Sequence, residues 1–171
     1  MKFSAFLLAG AMLICLSMVS CDKKATAPAR SVIYFNSFES AQDTTGWSGI
    51  TDAMFVSDPA PKGGKQSLHI GGGCLQPAAH INLPAQTRES YYRVSCWGKV
   101  ADISQGGSIG LAVGEQRREI RLIIRDEEWT FYESEESLRC PANRNMRLEI
   151  YIGGYAPASM LVDCIKVEKV K

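Results

Sequence analysis

The chain carries 18 carboxylates, and glycoside hydrolysis needs two of them converging across one bond. The densest acids lie in "RDEEW", residues 125–129, and "YESEES", residues 132–137. Asp126, Glu127 and Glu128 are consecutive in a turn, and Glu133, Glu135 and Glu136 read as a solvated strand end, so neither run builds a converging pair. His69 in "SLHIGGG" and His80 in "AAHINLP" have no nucleophile at a suggestive spacing and read as strand residues. The glycines of "HIGGGC" are followed by neither a helical pattern nor a lysine, so they make no phosphate cradle. A non-catalytic protein is expected.

The six cysteines carry the next signal. "MKFSAFLLAGAMLICLSMVSC" has a lysine at position 2, an apolar run from Phe6 to about Leu16 and small residues before Cys21, the build of a secretory signal over residues 1–20. Met18, Val19 and Ser20 ahead of Cys21 resemble a bacterial lipobox, with methionine where leucine is usual. Cys21 is then the lipidated first residue of the mature chain, followed by a polar tether to Ser31 that lacks the apolar content to pack. This places the protein in a bacterial cell envelope, anchored to a membrane by lipid (palmitate) and facing periplasm or cell surface. Four cysteines remain in the body, Cys74, Cys96, Cys140 and Cys164, an even number that in an exported domain suggests two disulfides. Their spacing and the two separated histidines do not suit zinc. Without Lys2, the 19 basic residues become 18 against 18 acidic, and a formally neutral chain gives no clustered positive field for nucleic acid.

The elements that must position these groups are strands. Period-two alternation recurs in short runs broken by Gly, Pro, Asn and Asp over residues 32–171, long enough for one core, and no helix-period segment competes. The expected fold is all-β, a two-sheet antiparallel β-sandwich (jelly roll). Successive side chains of a strand face opposite ways. In "SIGLAVGE" this buries Ile109, Leu111 and Val113, and in "REIRLIIRD" Ile120, Leu122 and Ile124, leaving Arg121 and Ile123 outside. "MRLEIYIGG" buries Met146, Leu148, Ile150 and Ile152 and turns Arg147, Glu149 and Tyr151 outward. "YRVSCWGKV" puts Val94, Cys96 and Val100 inside, with Arg93, Ser95, Trp97 and Lys99 outside. Asp163 shares the parity of Leu161 and Ile165 and is expected to point inward at a sheet edge. Cys96 and Cys164 are expected not to pair, because Cys164 lies opposite in parity to Ile165 and Val167.

The series "NSFES", "GWSG", "GGKQSLHI", "YYRVSCWGKV", "EEWTFYESE" and "LVDCIKVEKV" resembles the carbohydrate-binding-module jelly roll, the galactose-binding-domain-like fold attached to many xylan- and β-glucan-binding glycanases. It runs from Val32 to Val170 and departs from the pattern where Cys164 stands in place of a second aspartate. The resemblance implies a structural Ca2+ held by Glu39, Asp163 and a backbone carbonyl near Lys65 to Ser67, oxygens of the kind calcium takes. It also implies a polysaccharide or other glycan on the outer face of one sheet, where an aromatic platform and polar groups meet the apolar faces and hydroxyls of a sugar. Trp97, Tyr151, Arg93, Arg121 and Glu149 fall on outer faces by parity, and Gly110 and Ala112 allow close approach. The alternative is a structural or protein-interaction domain of an envelope complex, since Trp, Tyr and Arg also favour protein interfaces.

Overall fold

The computed structural model describes residues 30–51, 54–71, 77–101, 106–114, 118–152 and 158–170. Cys21, the preceding leader and Cys74 lie outside the described residues. Among those described, the chain forms β1 (Ser31–Asn36), β2 (Trp47–Ser48), β3 (Phe55–Val56), β4 (Ser67–Gly71), β5 (Ala79–Leu83) and β6 (Ser90–Val100). It continues through β7 (Gly107–Val113), β8 (Arg118–Ile124), β9 (Thr130–Glu133), β10 (Leu138–Cys140), β11 (Met146–Ile152) and β12 (Ser159–Lys169). The longest helical piece described is the 3-10 turn Ala41–Thr44, and among the described residues no helix is long and apolar enough to cross a membrane.

The strands make two antiparallel sheets packed as a sandwich, as the alternation requires. One has seven strands, in the order β10-β6-β12-β4-β3, with β1 beside β12 and β9 beside β6. The other has five, in the order β2-β5-β11-β7-β8. Between them lie Val94 and Cys96 of β6, Ile109 and Leu111 of β7, Leu122 and Ile124 of β8, Leu148 and Ile150 of β11, and Val162 and Val167 of β12. The β-branched and leucine side chains at every second position of β7, β8 and β11 thus fill the core face.

The parity expected for Asp163 does not hold, and a β-bulge is the reason. Asp163 pairs with Trp97 and Lys166 with Ser95, so Cys164 and Ile165 together oppose the single residue Cys96. Cys164 has φ +49°, a left-handed conformation rare for a residue with a Cβ. Leu161 and Asp163 before the bulge therefore face out, and Ile165 and Val167 after it face in. Asp163 is nonetheless fully buried, because residues 58–65 cross over it: the Ala60 amide donates to its Oδ2 at 3.1 Å.

The expectation of two disulfides also fails, since Cys96, Cys140 and Cys164 carry free thiols. Cys96 lies in the core while Cys164 sits in the bulge on the opposite side of the sheet. Cys140 pairs with Ser90, and six residues of strand separate Ser90 from Cys96, about 20 Å, far beyond disulfide reach. Burial raises all three thiol pKa values, that of Cys164 to about 12 with further contributions from Asp163 and Glu39.

Candidate functional site

The outer faces of the two sheets differ, and the five residues singled out from parity divide between them. Arg93 and Trp97 belong to β6 in the seven-stranded sheet. Arg121 belongs to β8, and Glu149 and Tyr151 to β11, in the five-stranded sheet. Parity tells which side of a strand a residue takes but not which sheet the strand joins, so the five do not form one site.

On the seven-stranded sheet the outward side chains hold one another. The Trp97 ring is half-buried and meets the Phe131 ring from β9, with centroids 5.6 Å apart. Arg93 donates to the Glu135 carbonyl at 3.0 Å and lies 3.9 Å from Glu133, which also binds Arg30 at 2.6 Å. Lys99 pairs with Asp58 at 2.7 Å and lies 5.4 Å from the centre of the Trp129 ring, whose indole N–H donates to Asp58 at 3.1 Å. The Lys99 hydrogen bond, with help from Trp129, holds the Asp58 carboxyl below its ordinary range.

Across the five-stranded sheet the outward residues fall into three registered rows. Ser48, His80, Glu149, Gly110 and Arg121 make the central row, one residue from each strand. Asn82, Arg147, Ala112 and Glu119 lie on one side of it, and Tyr151, Ser108 and Ile123 on the other. Gly110, Ala112 and Ser108 are all on β7, so small side chains keep the floor low beside β11. An open groove of about 420 Å³ follows, lined by Asn82, Ala112, Asn145, Arg147 and Glu149 among others.

The groove's chemistry centres on Glu149. Only 4% of it is exposed although it stands on an outer face, and a carboxylate so buried needs partners. It accepts a hydrogen bond from the Tyr151 hydroxyl, and Arg147 approaches its other oxygen at 3.4 Å. The Arg121 guanidinium stacks over the Tyr151 ring, 4.4 Å from its centroid, and is held at its edge by Glu119 at 3.1 Å. The result is a fixed array of amides, guanidinium groups, an imidazole, a phenol and a carboxylate on a flat floor. Such an array suits a ligand carrying many hydroxyls. Asn82, Asn145, His80 and Arg147 were not named as binding residues from the sequence, although parity turned Arg147 outward; for Asn82 and His80, the alternation of "AHINL" was the available signal.

The residues implied as calcium ligands do come together. Glu39 and Asp163 both aim at residues 60–65, where a Cβ on Gly63 would collide with the Asp163 carboxylate and one on Gly64 with that of Glu39. Lys65 differs from the carbonyl ligand expected there: its amide donates to Glu39 Oε2 at 2.8 Å, and an N–H cannot ligate a cation. The amides of Gln66, Ala60 and Cys164 donate to the remaining carboxylate oxygens. Burial raises the Asp163 pKa, the Ala60 amide opposes that shift, and the Glu39 charge adds to it. The oxygens are hard donors and each keeps a second lone pair, which fits calcium. Among the described residues no third acid, histidine or cysteine joins them in a metal-holding group, so backbone oxygens must supply the rest.

No protein-family model matches the chain, and no curated protein does. Solved structures do. The CBM22-1 xylan-binding domain of Paenibacillus barcinonensis Xyn10C matches with a TM-score of 0.59 at 17% identity, over 85% of this chain and 98% of that one. A xylan-binding domain from CBM 22 matches with 0.56 at 13% identity, over 81% and 95%. The C-terminal family 22 carbohydrate binding module of Clostridium thermocellum Xyn10B gives 0.56 at 13% identity, over 81% and 93%, and residues in its cleft have a role in ligand binding. The likeness is one of fold: this chain has the jelly roll of those carbohydrate-binding modules.

Proposed function

We propose that this protein is a lipid-anchored, non-catalytic glycan-binding lipoprotein of a bacterial envelope, and that the groove on its five-stranded sheet is the binding site. The observation that carries the reading is the central row, where a nearly buried carboxylate is fixed by Tyr151 and Arg147 beside glycine and alanine. A neutral sugar binds through hydroxyls that donate to a carboxylate and accept from amides and guanidinium groups, and the floor offers both. The fold neighbours, two of them described as xylan-binding, support a polysaccharide as ligand. Among the described residues, the two carboxylates of this face are engaged in the sheet's own contacts, Glu119 with Arg121 at 3.1 Å and Glu149 with Tyr151 and Arg147. That favours binding over hydrolysis. The test is affinity electrophoresis of the chain in xylan and in a panel of β-glucans, with Glu149→Gln beside the wild type. Retarded migration that the substitution abolishes is expected; no retardation by any polysaccharide overturns the reading.

The lipid anchor rests on the "MVSC" run ahead of the tether. Cys21→Ser is expected to move the protein from the membrane to the soluble fraction. Calcium is proposed for Glu39 and Asp163, whose like charges share one loop. Added calcium should raise the melting temperature, a chelator should lower it, and Glu39→Gln should remove both responses. A protein-docking role remains the second reading for the seven-stranded sheet, favoured by Val32, Phe35 and Phe131, each about half exposed.

A further inference from the structure

β8 ends the five-stranded sheet, paired with β7 on one side and, among the described residues, with no strand on the other. A seven-residue edge leaves a row of backbone N–H and C=O groups able to accept another strand. The space beside it, about 430 Å³, is lined by residues 119–123 and 132–136 and is open. Its Ile123 is 46% exposed, large and apolar on an outward side otherwise made of Glu119 and Arg121.

The sequence of this edge is complementary to itself. In an antiparallel pair of identical strands on a two-fold axis through Leu122, Leu122 faces its own copy and Ile120 faces Ile124, so the core-side row is wholly apolar. On the outer side Glu119 faces Arg125 twice, and the Arg121 stem covers Ile123 twice. The neighbouring registers are worse. An axis through Arg121 sets that arginine against itself; one through Ile123 sets Arg121 against Arg125 and Glu119 against Glu127; one through Ile120 puts Arg118 opposite Leu122 on the core side. One register thus satisfies both faces, the condition under which pairing is well specified.

We propose that the chain forms a two-fold dimer through β8, its occupant being a second copy of itself. The axis stands perpendicular to the sheet, so the two five-stranded sheets join into one of ten strands with both outer faces on the same side. If the groove binds glycan as proposed above, the dimer presents two grooves side by side to one polymer, which raises avidity without new contacts. The dimer itself does not depend on that reading.

The test is native mass spectrometry of the full chain released from detergent micelles, at ~100 µM because a single strand pair is a small interface. The wild type is expected to be dimeric. Glu119→Arg and Arg125→Glu should each give monomer, as each sets like charges opposite one another twice, and the double variant should restore the dimer. Circular dichroism melts confirm that all four are folded. A monomeric wild type overturns the proposal; so do single variants that stay dimeric, or a folded double variant that stays monomeric. A failure of glycan binding leaves all these outcomes readable.

Discussion

On the outer face of the seven-stranded sheet, Arg93, Lys99, Glu133, Lys166 and Glu168 each meet an opposite charge, and Trp97 meets Phe131. On the five-stranded sheet the same alternation leaves an open groove with Glu149 at its floor. The difference lies in what flanks the central strands. β6 is flanked by β9 and β12, which put Phe131, Glu133, Lys166 and Glu168 beside its outward residues. β11 is flanked on one side by β7, whose outward residues are serine, glycine and alanine. Large neighbours close one face on itself and small ones leave the other free. Outward tryptophan and arginine are therefore poorer pointers to a binding face than outward glycine beside a nearly buried carboxylate.

The two faces should answer mutation differently, and the largest effect is expected at Asp163. Asp163→Ala removes the acceptor of the Ala60 and Cys164 amides in a site closed to water, at about 1 to 3 kcal/mol for each orphaned donor. The melting temperature should fall steeply in thermal unfolding followed by circular dichroism. Glycan affinity, measured below the new melting point, should stay unchanged. A lost affinity in the folded variant would break the separation of the two faces.

Glu149→Ala and Trp97→Ala sharpen it as a pair. The first should cost about 1.5 to 3 kcal/mol of glycan binding, the worth of hydrogen bonds to a charged group. The second should lower stability by about 1 to 3 kcal/mol, as for removal of a half-buried aromatic ring, and leave binding alone. Calorimetric titration with the polysaccharide found by electrophoresis, beside thermal melts, reads both. A binding loss in Trp97→Ala that matches that of Glu149→Ala would return Trp97 to the site.

What the sequence disclosed and what it hid follow from one distinction. Alternation along "MRLEIYIGG" and "YYRVSCWGKV" is a local property, and the outward positions of Glu149, Tyr151, Arg93 and Trp97 were legible from it. Assignment of β6 and β11 to different sheets is a matter of long-range pairing, which a single strand does not encode. The bulge was hidden for a related reason. Nothing in "LVDCIKV" marks Cys164 as a residue that adopts positive φ, because glycine would be the usual signal there. The cysteines misled because an even count in an exported chain argues from compartment, whereas bridging depends on which strands place them.

The smallest effect concerns the rim of the seven-stranded face, where Lys99 joins Asp58 and Trp129. The Asp58 side chain is 48% exposed, so water and salt screen the pair and its worth stays below about 1 kcal/mol. Lys99→Met keeps an apolar stem against the Trp129 ring and removes the charge. The hydrogen bond from Lys99 depresses the Asp58 pKa in the folded chain, so the pair stabilises the fold above the unfolded aspartate value. That contribution fades as pH falls through the depressed value and the carboxylate takes up a proton. The wild type should therefore be slightly more stable than Lys99→Met at pH 7, the gap should narrow once pH falls below the ordinary aspartate range, and it should close below the depressed Asp58 value. Urea unfolding over a series from pH 7 down to pH 2 follows the difference from one end to the other, and raising the salt at pH 7 should shrink it too. A gap that persists once Asp58 is protonated would mean that Lys99 acts through its charge over the Trp129 ring, and a loss of glycan binding in this variant would join the rim to the groove.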